Sequence, residues 1–179
     1  IGIEILNMGG NAIDAAVAVG FSLATTLPRA GNLGGGGFML IYLSDEQKTI
    51  AVDFRSSAPK SISEDEFLFL KKNYDQRRFG YKASGVPGTV AGLLQTHKRY
   101  GKLPLKKILQ PVILQASKGI LVTYDLNQAI GSAHQINLDE ESKKIYYQNE
   151  SPVIEHALMK RPDLAWTLGE IARKGEDAF

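Results

Sequence analysis

Residues Asn11 to Thr26 set the strongest constraint on how this chain folds. Asn11 can cap a helix, and the residues after it, Ala12-Ile13-Asp14-Ala15-Ala16-Val17-Ala18-Val19-Gly20-Phe21, are apolar on nearly every side. A helix of that kind belongs in an interior, because its apolar faces have no favourable contact with water. Pro28 ends it, and the run Gly34-Gly35-Gly36-Gly37 leads into Phe38-Met39-Leu40-Ile41-Tyr42-Leu43, an apolar segment rich in strand formers. Ser44 to Lys48 reads as a turn and Thr49 to Phe54 as the returning strand. Two strands do not make a stable sheet, so the hairpin needs further strands and the helix needs cover. The sequence therefore predicts part of an α+β fold: residues 1–179 as a single incomplete domain.

The glycine run suggests a phosphate cradle, but its order is wrong for one. Phosphate loops follow a strand and open a helix. Here a helix precedes and a strand follows, with no Gly-Lys-Ser/Thr. The expectation is a structural role, through close packing or positive φ where the helix turns into the strand. The returning strand delivers Arg55 to its end, and Ser56, Ser57 and Pro59 stop it there. A guanidinium fixed at a strand end can hold a carboxylate through its fork of donors. From the residues alone, Arg55 reads either as such an anchor or as a surface arginine in a loop.

Further along, Ser63 with Glu66 predicts a capping box before Phe67-Leu68-Phe69-Leu70. Lys71 to Tyr81 reads as a polar, basic surface loop. Helices are expected over Ile1–Met8, Thr89–Tyr100, Leu105–Lys118 and from Pro162 to Gly175, with a weaker one over Thr123–Ala133 and a mixed segment over Leu138–Lys160. Ile1 already reads as mid-helix, so the natural start is expected upstream.

Composition excludes several functions. A net charge of +2 without a dense basic run gives no support for nucleic-acid binding. Cysteine is absent, which removes disulfides, thiolate metal sites and cysteine nucleophiles. His97, His134 and His156 lie far apart, so each is expected solvated or half-buried and no metal or other cofactor is expected. The longest apolar stretch, Ala12 to Ala24, is interrupted and shorter than the ~20 residues of a membrane span.

The ordered set Asn11–Gly20, Ala30-Gly31-Asn32-Leu33-Gly34-Gly35-Gly36-Gly37-Phe38-Met39, Asp53-Phe54-Arg55 and Gly85-Val86-Pro87-Gly88-Thr89-Val90-Ala91-Gly92 resembles the gamma-glutamyltranspeptidase family of N-terminal nucleophile hydrolases. The likeness runs on to Pro162-Asp163-Leu164-Ala165 and Gly175-Glu176-Asp177-Ala178-Phe179. It implies the N-terminal part of a large subunit, contributing a hairpin and covering helices to an αββα sandwich. The implied function is transfer of the gamma-glutamyl group of glutathione, or another gamma-glutamyl donor, to an amino acid, a peptide or water. Arg55 is the implied binder of the donor's α-carboxylate. The implied partner is the small subunit of the same precursor, paired after self-cleavage, and the implied compartment is periplasmic or secreted.

In that family the nucleophile is a threonine that begins the small subunit, so no catalytic residue is expected in this chain and the chain alone is expected to be inactive. Thr96-His97 superficially matches the Thr-His pair at the processing point. An N-terminal nucleophile uses its own free α-amino group as base, which a threonine inside a helix lacks. The family follows its arginine with glutamate, whereas Ser56 stands here; that departure bears on acceptor preference. A cephalosporin acylase, a polyglutamate transpeptidase and a non-catalytic paralogue or interaction fragment are the alternatives.

Overall fold

A computed structural model describes residues 1–133 and 139–179. His134 and the start of the Leu138–Lys160 segment lie outside the described residues. The architecture mixes helix and strand and falls into two compact units, residues 33–93 and residues 1–32 with 94–179.

Within residues 33–93, strands β1 (Phe38–Leu43) and β2 (Lys48–Asp53) pair antiparallel, with Phe38 opposite Asp53 and Leu43 opposite Lys48. The turn between them closes on Gln47, whose φ of 49° and whose N–H bond to the Ser44 carbonyl (3.3 Å) reverse the chain. Ile41 is buried, while Phe38, Leu40 and Tyr42, alternate residues on one face, stay open at 69%, 76% and 60% exposure. The hairpin thus offers an uncovered apolar face.

Helix α3 (Glu64–Lys72) follows, capped by Ser63, whose side chain accepts from the Glu66 N–H at 3.1 Å. Only that half of the expected capping box forms, because the Glu66 carboxylate turns instead to Lys82 Nζ at 3.1 Å. The expected loop over Lys71–Tyr81 is a correction. Helix α3 runs to Lys72, α4 spans Tyr74–Arg78, and a single 3-10 turn covers Tyr81–Ala83. Three acidic residues in the first turn of α3 and two lysines in its last suit the helix dipole, so a basic stretch here extends a helix rather than ending it.

Helix α5 (Thr89–Tyr100) begins in this unit and ends in the other. The larger unit also holds α1 (Gly2–Asn7), α2 (Ala12–Thr26), α6 (Leu105–Lys118), α7 (Tyr124–Ser132), α8 (Glu140–Tyr146) and α9 (Pro162–Lys174). Two two-residue ladders join them: β3 (Ile120–Leu121) with β6 (Leu158–Met159), and β4 (Tyr147–Gln148) with β5 (Ser151–Pro152), each pair antiparallel. Helix α6 packs on α2 and α9, and Val17, Phe21, Ile108, Leu109, Val112, Leu168 and Ile171 are buried. Helix α2 is less enclosed than expected, since Ala12, Ala16 and Val19 at i, i+4 and i+7 form an exposed strip.

The tightest polar anchor in this unit is Asp14, which is fully buried. Its carboxylate accepts from the N–H groups of Asn11 (2.9 Å), Lys102 (3.0 Å) and Leu103 (3.2 Å). With the Asn11 side chain bonding back to the Asp14 N–H, this is a full capping box that also ties α2 to the loop after α5. His97 Nε2 lies 3.5 Å from the same carboxylate and 2.8 Å from the Leu103 carbonyl, so this histidine is a bonded, largely buried group. His156 is exposed, as expected of a solvated histidine. Asp14→Ala leaves three backbone donors in the interior without an acceptor, a loss of about 3–5 kcal/mol. The expected result is a fall of several degrees in the thermal midpoint of the full-length protein, read by calorimetry; an unchanged midpoint contradicts this role.

Candidate functional site

Three separated sequence segments meet at the end of β2. Asp53 closes the strand, its Oδ1 accepting from the Arg55 N–H at 2.9 Å. This Asx turn lets the chain leave the sheet in two residues. Phe54 extends the ladder by one more pair: its N–H donates to the Gly37 carbonyl at 3.0 Å, and the Gly37 N–H donates back at 3.3 Å. The glycine loop is therefore continuous with β1 and holds the residue immediately before the arginine.

The second clamp is the segment before α5. Gly88 and Thr89 donate their N–H groups to the Gly35 carbonyl at 2.8 and 3.1 Å. Ser57 and Val86 form an isolated antiparallel bridge, with bonds of 3.2 and 2.8 Å. Phe54 sits between these clamps as a hub. A Cβ on Gly36 would strike the backbone of Ser56, one on Gly88 the Phe54 carbonyl, and one on Gly92 the Phe54 side chain. Neither Gly36 nor Gly37 has a left-handed backbone, so the expectation of positive φ is corrected there. These glycines are required by close approach, since any side chain would occupy space that the strand end already fills.

Arg55 stands on this braced turn. It is exposed, and its guanidinium has no hydrogen bond or ion pair among the described residues. An unpaired cation on a backbone fixed from three sides loses little conformational freedom when it meets an anion. The turn can thus present a rigid cationic fork to a carboxylate.

Other candidates separate from this site. Thr96 lies inside α5 at 1% exposure, and its hydroxyl has no hydrogen-bond partner among the described residues. A buried internal threonine has neither a free amine nor access to substrate, which agrees with its rejection as a nucleophile. Among the described residues no group of three or more His, Asp and Glu side chains is arranged to hold a metal, and no helix is long and apolar enough to cross a membrane. Sequence reasoning singled out Arg55 and assigned no role to Asp53 or Phe54, which position its turn. The available signal was an aspartate two residues before the arginine at a strand end, an Asx-turn pattern. A second was the glycine pair Gly88 and Gly92, whose i, i+4 spacing leaves room for an aromatic ring.

Comparison with known proteins gives a consistent set of relatives. Residues 1–179 match the family model described as gamma-glutamyltranspeptidase. The chain is 42% identical over 183 residues to the glutathione hydrolase proenzyme of Escherichia coli strain K12, covering 100% of this chain and 31% of that protein. The crystal structure of Helicobacter pylori gamma-glutamyltranspeptidase matches with a TM-score of 0.91 at 38% identity, over 99% of this chain and 52% of that one. The Bacillus anthracis transpeptidase enzyme CapD matches with a TM-score of 0.81 at 32% identity, over 99% of this chain and 55% of that one. The chain spans about a third of the length of the curated relatives it matches.

Proposed function

Because the chain belongs to the gamma-glutamyltranspeptidase family, we propose that the protein containing it transfers the gamma-glutamyl group of glutathione and related amides to water, amino acids or peptides. The observation that carries this reading is the unpaired Arg55 guanidinium on a turn braced by two glycine segments. Arg55 holds the donor's α-carboxylate, leaving the γ-amide to reach the reacting group. That makes it a positioning residue rather than a reacting one.

The reacting group is a threonine hydroxyl at the start of a second subunit. It attacks the γ-carbonyl, forms an ester and releases the amine half of the donor. Water or an acceptor amine then breaks the ester and restores the hydroxyl. The proenzyme naming of the Escherichia coli relative supports a precursor that is cleaved into two parts. In the assembled protein the hairpin and its helices contribute to an αββα sandwich, and the open apolar face at Phe38, Leu40 and Tyr42 supports added cover there. By the same resemblance the protein works in the periplasm or outside the cell.

The test uses full-length precursor and two anilide donors, gamma-glutamyl anilide and 4-aminobutyryl anilide. The second differs only in lacking the α-carboxylate group. The expected result is turnover of the first with at least about 30-fold preference over the second. Absence of turnover of the glutamyl donor by self-processed protein overturns the reading.

A further inference from the structure

The large apolar side chains of residues 67–81 contribute little to the packing of their own unit. On α3 only Leu70 is buried, while Phe67, Leu68 and Phe69 stay exposed in three consecutive positions. A water-facing helix rarely carries such a run without a use for it. Tyr74, Phe79 and Tyr81 extend the exposed surface through α4 and the turn after it, and Tyr81 is open at 100% exposure. Cations are interleaved with these rings. The Arg78 guanidinium lies 5.1 Å from the centre of the Tyr74 ring and 5.8 Å from that of Phe79. Lys82 Nζ lies 6.0 Å from the centre of the Phe69 ring and pairs with Glu66 at 3.1 Å. Lys71 and Lys72 are exposed, and neither ammonium has an ion pair among the described residues. Between residues 71 and 82 the sequence holds five basic residues against one acid, Asp75. The acids Glu64, Asp65 and Glu66 are confined to the opposite end of α3, in its first turn.

We propose that residues 67–82 are a docking surface for an anionic lipid bilayer, with Phe67, Phe69 and Tyr81 entering the headgroup boundary and Lys71 and Lys72 reaching lipid phosphates. The inference does not depend on the transferase reading above. Charge and side-chain type together select the occupant. Aromatic rings beside lysine and arginine suit the bilayer boundary, where the rings sit at headgroup depth and the cations meet negative charge. Long lysine stems can lie along apolar surface and still keep their ammonium groups in water. A protein partner would have to bury Lys71 and Lys72 opposite acids of its own, and lysine is depleted from such interfaces. The position of the acids sets the orientation. An anionic surface repels the first turn of α3, so the helix approaches by its C-terminal end. A contact of this size, without a lipid chain or a spanning helix, binds reversibly and concentrates the protein at the bilayer rather than anchoring it.

The experiment measures co-sedimentation of full-length protein with vesicles of phosphatidylcholine alone and of phosphatidylcholine with phosphatidylglycerol. Wild-type protein is expected to bind the anionic vesicles, to leave them as salt is raised, and to ignore the neutral ones. Lys71→Glu combined with Lys72→Glu should lower the partition constant at least about tenfold, since two attractive charges become repulsive. Phe67→Ser combined with Tyr81→Ser should lower it about fivefold or more with every charge kept. Both proteins should keep the wild-type thermal midpoint, because the altered side chains are exposed. Tyr81→Ser alone, at a fully open position, still reports the ring's contribution if the change at Phe67 disturbs folding. Failure of the wild type to bind anionic vesicles overturns the proposal, as does wild-type binding by the lysine variant or by Tyr81→Ser. These outcomes leave turnover of gamma-glutamyl anilide in solution untouched, so they are distinguishable from failure of the transferase reading.

Discussion

Arg55→Ala in the full-length protein is expected to lower kcat/KM for glutathione by roughly 30- to 1000-fold, the cost of about 2–4 kcal/mol for removing one partner of a shielded, charge-assisted pair. The α-carboxylate is remote from the bond that breaks, so the contact exists in the ground state and the transition state alike. Most of the loss should therefore fall on KM, with a smaller drop in kcat from poorer alignment. Arg55→Lys keeps the charge and loses the fork, so it should fall between wild type and alanine. A donor without the α-carboxylate supplies the internal check. It should react equally slowly with wild type and Arg55→Ala, because the partner is already missing. Self-cleavage involves no donor and should proceed in both variants, visible as two bands on a denaturing gel. If Arg55→Ala turns over glutathione like wild type, the anchor is elsewhere.

How much of this was legible beforehand depended on the range of the interaction. Helices α5, α6 and α9 end where the sequence places them, because Gly101, Gly119, Pro162 and Gly175 are local stop and start signals. The place of Arg55 just past the end of β2 was legible because the strand and a proline lie close to it in sequence. The reason for the glycines could not be found that way. Gly36, Gly88 and Gly92 are dictated by Phe54, which is 18 to 38 residues distant along the chain, and one-dimensional patterns do not show which side chain fills a gap. In sequence Asp14 only breaks the apolar run of α2, yet its carboxylate is the acceptor for donors 88 and 89 residues away. The stretch from Lys71 to Tyr81 failed differently. Its polarity suggested a loop, but helix formation there follows from end charges and side-chain pairing such as Arg78 with Tyr74, not from an apolar stripe.

Gly88→Ala should be nearly as damaging as loss of the arginine itself, although it removes no functional group. The new methyl would overlap the Phe54 carbonyl oxygen, with the Phe54 carbonyl carbon at 2.9 Å and the Arg55 oxygen at 3.4 Å. Residue 88 cannot retreat cheaply, because its N–H is bonded to Gly35 and its carbonyl accepts the first helical bond from Gly92. The strand end cannot retreat either, since Gly36 packs against the backbone of Ser56 from another segment. The clash must be relieved by shifting the turn that carries Arg55. Overpacking of this kind costs about 1–3 kcal/mol or somewhat more in stability. A displacement of the order of 1 Å at a positioning group costs roughly 100-fold in rate. The expected result is a correctly cleaved protein with a lowered melting temperature and kcat/KM reduced about 100-fold. Gly169→Ala is the contrasting substitution: it sits inside α9 with nothing within 4 Å of its Cβ, so alanine should leave activity alone and stabilise by up to about 1 kcal/mol. Wild-type kinetics in Gly88→Ala would show that the turn absorbs a methyl group, and the braced-turn account of Arg55 would then fail.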